Sequence, residues 1–247
     1  MEIEMRTLRL FCVLAVAFAL TGCFKIDQTL TLNKDGSGVL DMRYGMSGQA
    51  LAQLETMEKM AEAMGEDSGK AMEMDADTPF DMNFDEAQVR EEFEAKGLDG
   101  VELLSATSET IDGWRYMDIK MAFDSLAALQ QTDLFESNEV SLARNAEGNY
   151  VLTQAGGDAN ASEDDVDSEM ETQMLQQMAT MFAGMRIASR VVVPTEIIET
   201  DATEVDGRTA AWIYDIEENP DVLTELQNIN MRVVFSGEGV SIDADQQ

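Results

Sequence analysis

Histidine is absent from the chain. Imidazole acid–base catalysis, Ser-His-Asp triads and His-ligated zinc sites are therefore excluded. Cations are scarce: 16 Lys and Arg stand against 49 Asp and Glu, a formal net charge of −33. Most nucleic-acid roles go with them, because a polyanion binder needs clustered cations to displace phosphate counterions. Only two cysteines are present, too few for a disulfide framework. Membrane-spanning length is missing too. The apolar run from Leu10 to Leu20 stops at 11 residues, where a spanning helix needs about 20. What remains is an acidic chain with an ordinary hydrophobic content of 45%, enough to build a core.

The short apolar run fits the h-region of a secretory signal peptide. Directly after it stand Leu20, Thr21, Gly22 and Cys23, which resemble the lipobox of bacterial lipoproteins. Small residues let a peptidase approach the backbone, and the Cys23 thiol carries the lipid. The expectation is a signal peptide over 1–22 and a lipid-anchored extracytoplasmic domain over 23–247. Glu2 and Glu4 offset Arg6 and Arg9, whereas a start at Met5 leaves the conventional basic stretch MRTLRLF. Cleavage removes Cys12 with the signal and commits the remaining cysteine to lipid, so cysteine nucleophiles and disulfides drop out together. Phe24, rather than Asp, follows the anchor. In a two-membrane bacterium that resembles an outer-membrane sorting signal.

Ile26 to Met46 alternates apolar and polar residues around Asn33-Lys34-Asp35-Gly36-Ser37-Gly38, a hairpin with one apolar face. Ser47 to Met64 then switches to helical spacing. A short helix is expected over Asp85 to Lys96, stopped at Gly97. Further strands are expected at Val101–Ala106, Trp114–Phe123, Val140–Arg144, Tyr150–Thr153, Arg186–Val193, Glu196–Thr200, Ala210–Ile216 and Ile229–Phe235. One or two helical turns fall at Ser125–Gln131, a helix at Glu169–Met185 and a short one at Asp221–Leu226. Gly156 to Ser168 is acidic and reads as a flexible segment. Hairpins interleaved with helices predict an α+β fold, its sheet mainly antiparallel, with two longer Met-rich helices packed on it. Ile111-Asp112-Gly113-Trp114-Arg115-Tyr116 and Val205-Asp206-Gly207 with Trp212-Ile213-Tyr214 echo each other. Recurrent hairpin chemistry accounts for that as well as duplication does.

The lipobox cysteine, the early hairpin DQTLTLNKDGSGVLDM and the late block VVPTEIIETDATEVDGRTAAWIYDI resemble the LppM-like class of bacterial lipoproteins. The resemblance implies an extracytoplasmic lipoprotein domain associated with lipid or glycolipid handling. It brings no catalytic motif and no cofactor.

Met170, Met174, Met178, Met181 and Met185 are spaced to line one side of the late helix. Such a stripe packs on a sheet as core, or forms an adaptable groove for an apolar ligand. Asp158 to Glu169 places oxygen residues at EF-hand spacing. Glu163 stands where that loop needs glycine and Asp165 where it needs an aliphatic residue, so a solvated acidic loop is expected and no metal site. Arg43, Arg115, Arg144, Arg186, Arg190 and Arg232 all fall in strands. Gathered on one face they would grip phosphate headgroups; scattered, they pair with neighbouring carboxylates. No pair among the many carboxylates is singled out for glycosidase chemistry. The expected protein is a non-enzymatic, membrane-tethered lipoprotein of the cell envelope that binds an envelope lipid or glycolipid. The alternative is a protein–protein interaction or envelope-assembly module with no small ligand.

Self-repulsion at −33 should destabilise the compact state at low salt, because the Debye length is about 30 Å at 0.01 M and about 3 Å at 1 M. Thermal melts should therefore rise with NaCl or KCl alike, with most of the gain below about 0.5 M. Sharp stabilisation by micromolar calcium at fixed ionic strength would instead make Asp158–Glu169 a metal site.

Overall fold

The alternating segment forms the hairpin its parity predicts. Strands β1 (Phe24–Leu32) and β2 (Gly38–Ser47) pair antiparallel, from Phe24 opposite Met46 to Leu32 opposite Gly38. Ile26, Leu30, Leu40, Met42, Tyr44 and Met46 are buried. Lys25, Asp27, Asp41 and Arg43 take the intervening positions on the other face. In the connecting loop the Asp35 carboxylate accepts from the Ser37 hydroxyl at 2.7 Å and from its N–H at 3.2 Å. Those two bonds, the hydroxyl first, hold the Asp35 carboxyl below its ordinary range.

The structure is a computed structural model that describes residues 24–52, 55–56, 84–132, 135, 138–156, 184–216, 218–219, 222 and 230–242. Helix α1 (Glu86–Lys96) starts at Asp85, whose side chain accepts from the N–H groups of Ala87 and Gln88, and stops at Gly97 in the left-handed region. β3 (Val101–Ile111) turns into β4 (Trp114–Phe123) through Asp112 and Gly113, with φ of +50° and +81°. Positive φ at both central residues is the type I′ turn that suits twisted hairpins. The helical turn α2 (Leu126–Leu129) is capped by Ser125. There follow β5 (Asn138–Arg144), β6 (Tyr150–Gly156), β7 (Arg186–Val192), β8 (Ile197–Thr200), β9 (Glu204–Asp206), β10 (Thr209–Asp215) and β11 (Asn230–Phe235).

These strands make two sheets, ordered β3-β4-β2-β1-β7-β10-β9 and β5-β6-β11-β8. The pairing is antiparallel except between β1 and β7, which run parallel. The fold is thus α+β and dominated by sheet. One continuous core joins both sheets: Leu40, Met117 and Val191 from the first meet Tyr150, Val233 and Phe235 from the second. Each such side chain contributes about 1.5–3 kcal/mol when fully buried. Tyr150 stacks on Phe235 at 5.5 Å, and its hydroxyl donates to the Ile242 carbonyl at 2.9 Å. Ser241 N–H donates to the Lys34 carbonyl at 2.7 Å, so this late segment is tied beneath the β1–β2 loop.

Several elements differ from expectation. β3 runs five residues past Ala106, and the three-residue strand β9 carries no alternation long enough to be read. The two Asp-Gly echoes part in three dimensions. Asp112 and Gly113 are the two turn residues of the first. In the second, Asp206 ends β9, and Gly207 (φ +59°) and Arg208 make the turn. Trp212 and Tyr214 point into the core, while Trp114 and Tyr116 lie half-buried on the opposite face. Residues 48–52 are helical and Leu51 packs against the core; Leu54, Met57, Ala61 and Met64 lie outside the described residues. Gly184 has φ +72°, which ends any right-handed helix. Met185 therefore is not on a helical stripe but leads into β7, half-buried against the core, its carbonyl accepting from Ile216 N–H at 3.0 Å.

β3 is an edge strand, and its outward backbone groups would otherwise be free to pair with another chain. Helix α1 takes up two of them. The Glu86 carboxylate accepts from Ser108 N–H at 2.6 Å, and Arg90 donates to the Ala106 carbonyl at 2.9 Å. Replacing Glu86 and Arg90 together by Ala should cost about 2 kcal/mol in thermal or urea unfolding, at about 1 kcal/mol per bond. Sedimentation should also show concentration-dependent self-association absent from the unmodified protein.

Candidate functional site

The face of the seven-stranded sheet that looks away from the core carries the candidate site. Its register sets charges of opposite sign side by side. Arg43 lies across from Asp118, donating to both carboxylate oxygens at 3.1 and 3.0 Å, and reaches Glu109 on β3 at 2.6 Å. Burial pulls the Arg43 guanidinium down. Its bonds and charges with Glu109 and Asp118 outweigh that and hold it above its ordinary value. Lys120 meets Asp41 at 2.8 Å. On the far side of β1, Asp27 accepts from Arg186 and Arg190 at 3.2 Å each, and Asp215 stands 3.8 Å from Arg186. These pairs are half-exposed, so each is worth about 0–1 kcal/mol.

The strand arginines do not gather on one face. Arg43, Arg186 and Arg190 share the outer face; Arg115 is on the opposite face of β4, donating to the Phe84 carbonyl at 3.1 Å. Arg144 and Arg232 belong to the other sheet, bonded to the Tyr150 hydroxyl at 3.2 Å and to Glu199 at 2.9 Å. Pairing with neighbouring acceptors, the plainer of the two expectations, describes them.

Among the cations on the outer face lie two aromatic rings. Trp114 and Tyr116 stack with centroids 6.0 Å apart and planes 17° apart. Lys25 Nζ lies 4.4 Å from the Trp114 ring centre, and the Arg43 guanidinium 4.3 Å from that of Tyr116. Gly45 makes room for this. A Cβ there would fall 2.4 Å from Cδ1 and Cε1 of Tyr116, so the ring rests on bare backbone, a use of glycine that repays its cost within a strand. Beside this cluster is an open depression of about 250 Å³, its lining including Thr29, Asp41, Arg43, Ser105, Asp118 and Lys120. Hydroxyls, carboxylates and cations line it together with Met42 and Ile119, which suits a ligand that offers apolar surface and both donates and accepts hydrogen bonds.

Parity alone places Lys25 and Arg43 on one face, and Trp114 and Tyr116 on one face of β4. Their meeting depends on the β2–β4 register, which no short-range pattern encodes. Of the residues singled out in the sequence, Leu20, Thr21, Gly22, Cys23, Met170, Met174, Met178 and Met181 lie outside the described residues, as does the acidic loop Asp158–Glu169. Among the described residues no group of three or more His, Cys, Asp or Glu is placed to hold a metal ion.

No family model and no curated protein matches the chain. Among solved structures it is similar to the NMR structure of the folded domain of LppM from Mycobacterium tuberculosis, at 12% identity and a TM-score of 0.41, covering 87% of this chain and 91% of that one. A likeness at that level assigns neither family nor function.

Gly45→Ala should displace the Tyr116 ring and cost about 1–3 kcal/mol, the usual penalty of overpacking. Near-UV circular dichroism should change with it. In the Gly45→Ala, Tyr116→Ala double variant the added methyl meets no ring, so the two costs should fall short of additivity.

Proposed function

We propose that the protein is a non-enzymatic lipoprotein of the bacterial cell envelope, tethered through lipid on Cys23, that presents its outer sheet face to the headgroup of an envelope glycolipid. The observation that carries this reading is the start of β1 at Phe24, the residue after the lipobox cysteine. Consecutive Cα atoms lie about 3.8 Å apart, so no spacer separates the tether from the sheet. In a two-membrane bacterium the residue after Cys23 favours the outer membrane.

The state of the outer-face cations supports a sugar over a bare phosphate. A phosphate would have to displace Asp118 and Glu109 from Arg43, or Asp41 from Lys120, each already within 3.1 Å. A polyhydroxylated headgroup donates to the carboxylates and accepts from the cations without breaking either pair. A second reading, a protein partner with no small ligand, is favoured by Ile198 and Val205. They are 54% and 52% exposed on β8 and β9, the edge strands of the two sheets.

Cys23→Ser should release the protein from membranes or leave its signal uncleaved; a variant that matures and stays membrane-bound would overturn the tether. Glycolipid co-purifying with the protein supports the first reading, and a clean preparation with one co-isolated protein the second. Asp41→Ala with Lys120→Ala should lower glycolipid retention several-fold while membrane fractionation stays unchanged.

A further inference from the structure

We propose that the end of the seven-stranded sheet nearest the tether is itself a membrane contact, with Trp114 and Ile111 seated in the headgroup layer and Lys25 beside them. The inference rests on the tether at Cys23 and specifies where the folded domain meets the bilayer.

The register fixes the geometry. Phe24 pairs with Met46, and Met46 with Arg115. The next row toward the anchor holds Ser47, Trp114 and Ile111. It lies one residue, about 3.3 Å, beyond Phe24 along the strands, and β4 stands two strands from β1, roughly 10 Å at the usual spacing. A lipid on the residue before Phe24 enters the bilayer at this level. The headgroup zone on each side of the hydrocarbon core is several ångströms thick, so the row of Trp114 falls within its reach.

The side chains on that rim suit the interface. Ile111, the register partner of Trp114, is an apolar residue left 44% exposed. Trp114 is half-buried with its ring beside Lys25 Nζ. An amphipathic ring with a cation at hand is the pairing that settles at headgroup level, the lysine stem lying along apolar surface while its ammonium reaches phosphate or water. Gly48 N–H donates to the Gly113 carbonyl at 2.8 Å, which joins the β2 exit to the β3–β4 turn as one rim.

Charge agrees. The last three register rows and the turn hold Lys25, Arg115 and Arg186 against Glu109, Asp112 and Asp215. These strand rows are balanced in a chain of net charge −33, and exposed Glu218, its N–H bonded to Asp215, adds one carboxylate just past β10 at the same end. Repulsion from an anionic leaflet is therefore weaker there than over the average surface.

The test uses the full lipidated protein in phosphatidylcholine–phosphatidylglycerol vesicles, with bromine placed close to the ester end of the acyl chains. Trp212, 4% exposed and bonded to Asp201 at 3.0 Å, is the internal control. Flotation with the vesicles and bromine quenching of the wild type, lost in Trp114→Phe, is the expected result. In the wild type, iodide should quench less in vesicles than in detergent, a reading that needs no variant. Flotation without bromine quenching overturns the contact and leaves the tether standing. Quenching that persists in Trp114→Phe overturns it as well, because lipid then meets Trp212. Failure to float overturns the tether and the contact together.

Discussion

The parallel pairing of β1 with β7 is the joint on which the architecture depends. It makes one sheet out of two blocks, β2 to β4 on one side and β9 and β10 on the other. Seven residue pairs, from Lys25 opposite Arg186 to Thr31 opposite Val192, close it. Two side-chain links reinforce it: Gln28 donates to the Ser189 hydroxyl at 2.7 Å inside, and Asp27 holds Arg186 and Arg190 outside. Gln28 occupies a core-facing position where an apolar residue would be expected, and Ser189, 3% exposed, explains why it is tolerated. A half-buried polar pair of this kind is costly if mismatched, so it favours this register of the joint. Contacts separated by about 160 residues raise the contact order, which slows folding as a whole.

Against that frame, the elements legible in the sequence were those that local chemistry decides. The β1–β2 hairpin follows from parity and from Asn33 to Gly38, α1 from Asp85 and Gly97, and the β3–β4 turn from Asp112-Gly113. The sheet-dominated α+β class follows from the sum of these. Long-range pairing was not legible. Nothing near Phe24 or Arg186 announces that those strands are neighbours, and nothing near Val140 says that β5, β6 and β11 form a separate sheet. The similar Trp-x-Tyr pairs show the same limit, since Trp212 is core and Trp114 is surface for reasons of register alone. For the candidate site, residue types were legible but not their meeting. Arg43 was visible as a strand cation; its contacts with Tyr116, Asp118 and Glu109 come from three-strand alignment.

The outer face also shows how an acidic chain distributes its charge. With carboxylates about three times as numerous as cations, most surface carboxylates have no counter-charge to find. The sheet's outer face is an exception, since two of its arginines are each placed between two carboxylates. Arg43 answers Glu109 and Asp118, and Arg186 answers Asp27 and Asp215. Cations placed there offset the repulsion among the carboxylates of the middle strands, where like charges directly opposite destabilise a sheet.

The tie between the late segment and the β1–β2 loop gives the domain two poles. Ile242 is held by Tyr150, and Ser241 by Lys34, at the loop that follows the far end of β1. β1 has nine residues, so this point stands roughly 27–30 Å from Phe24 at about 3.3 Å per residue. A reporter or affinity handle fused after Ile242 would start at the pole of the domain opposite Phe24. A fluorophore there would report the distance between the two poles, with β1 as the ruler.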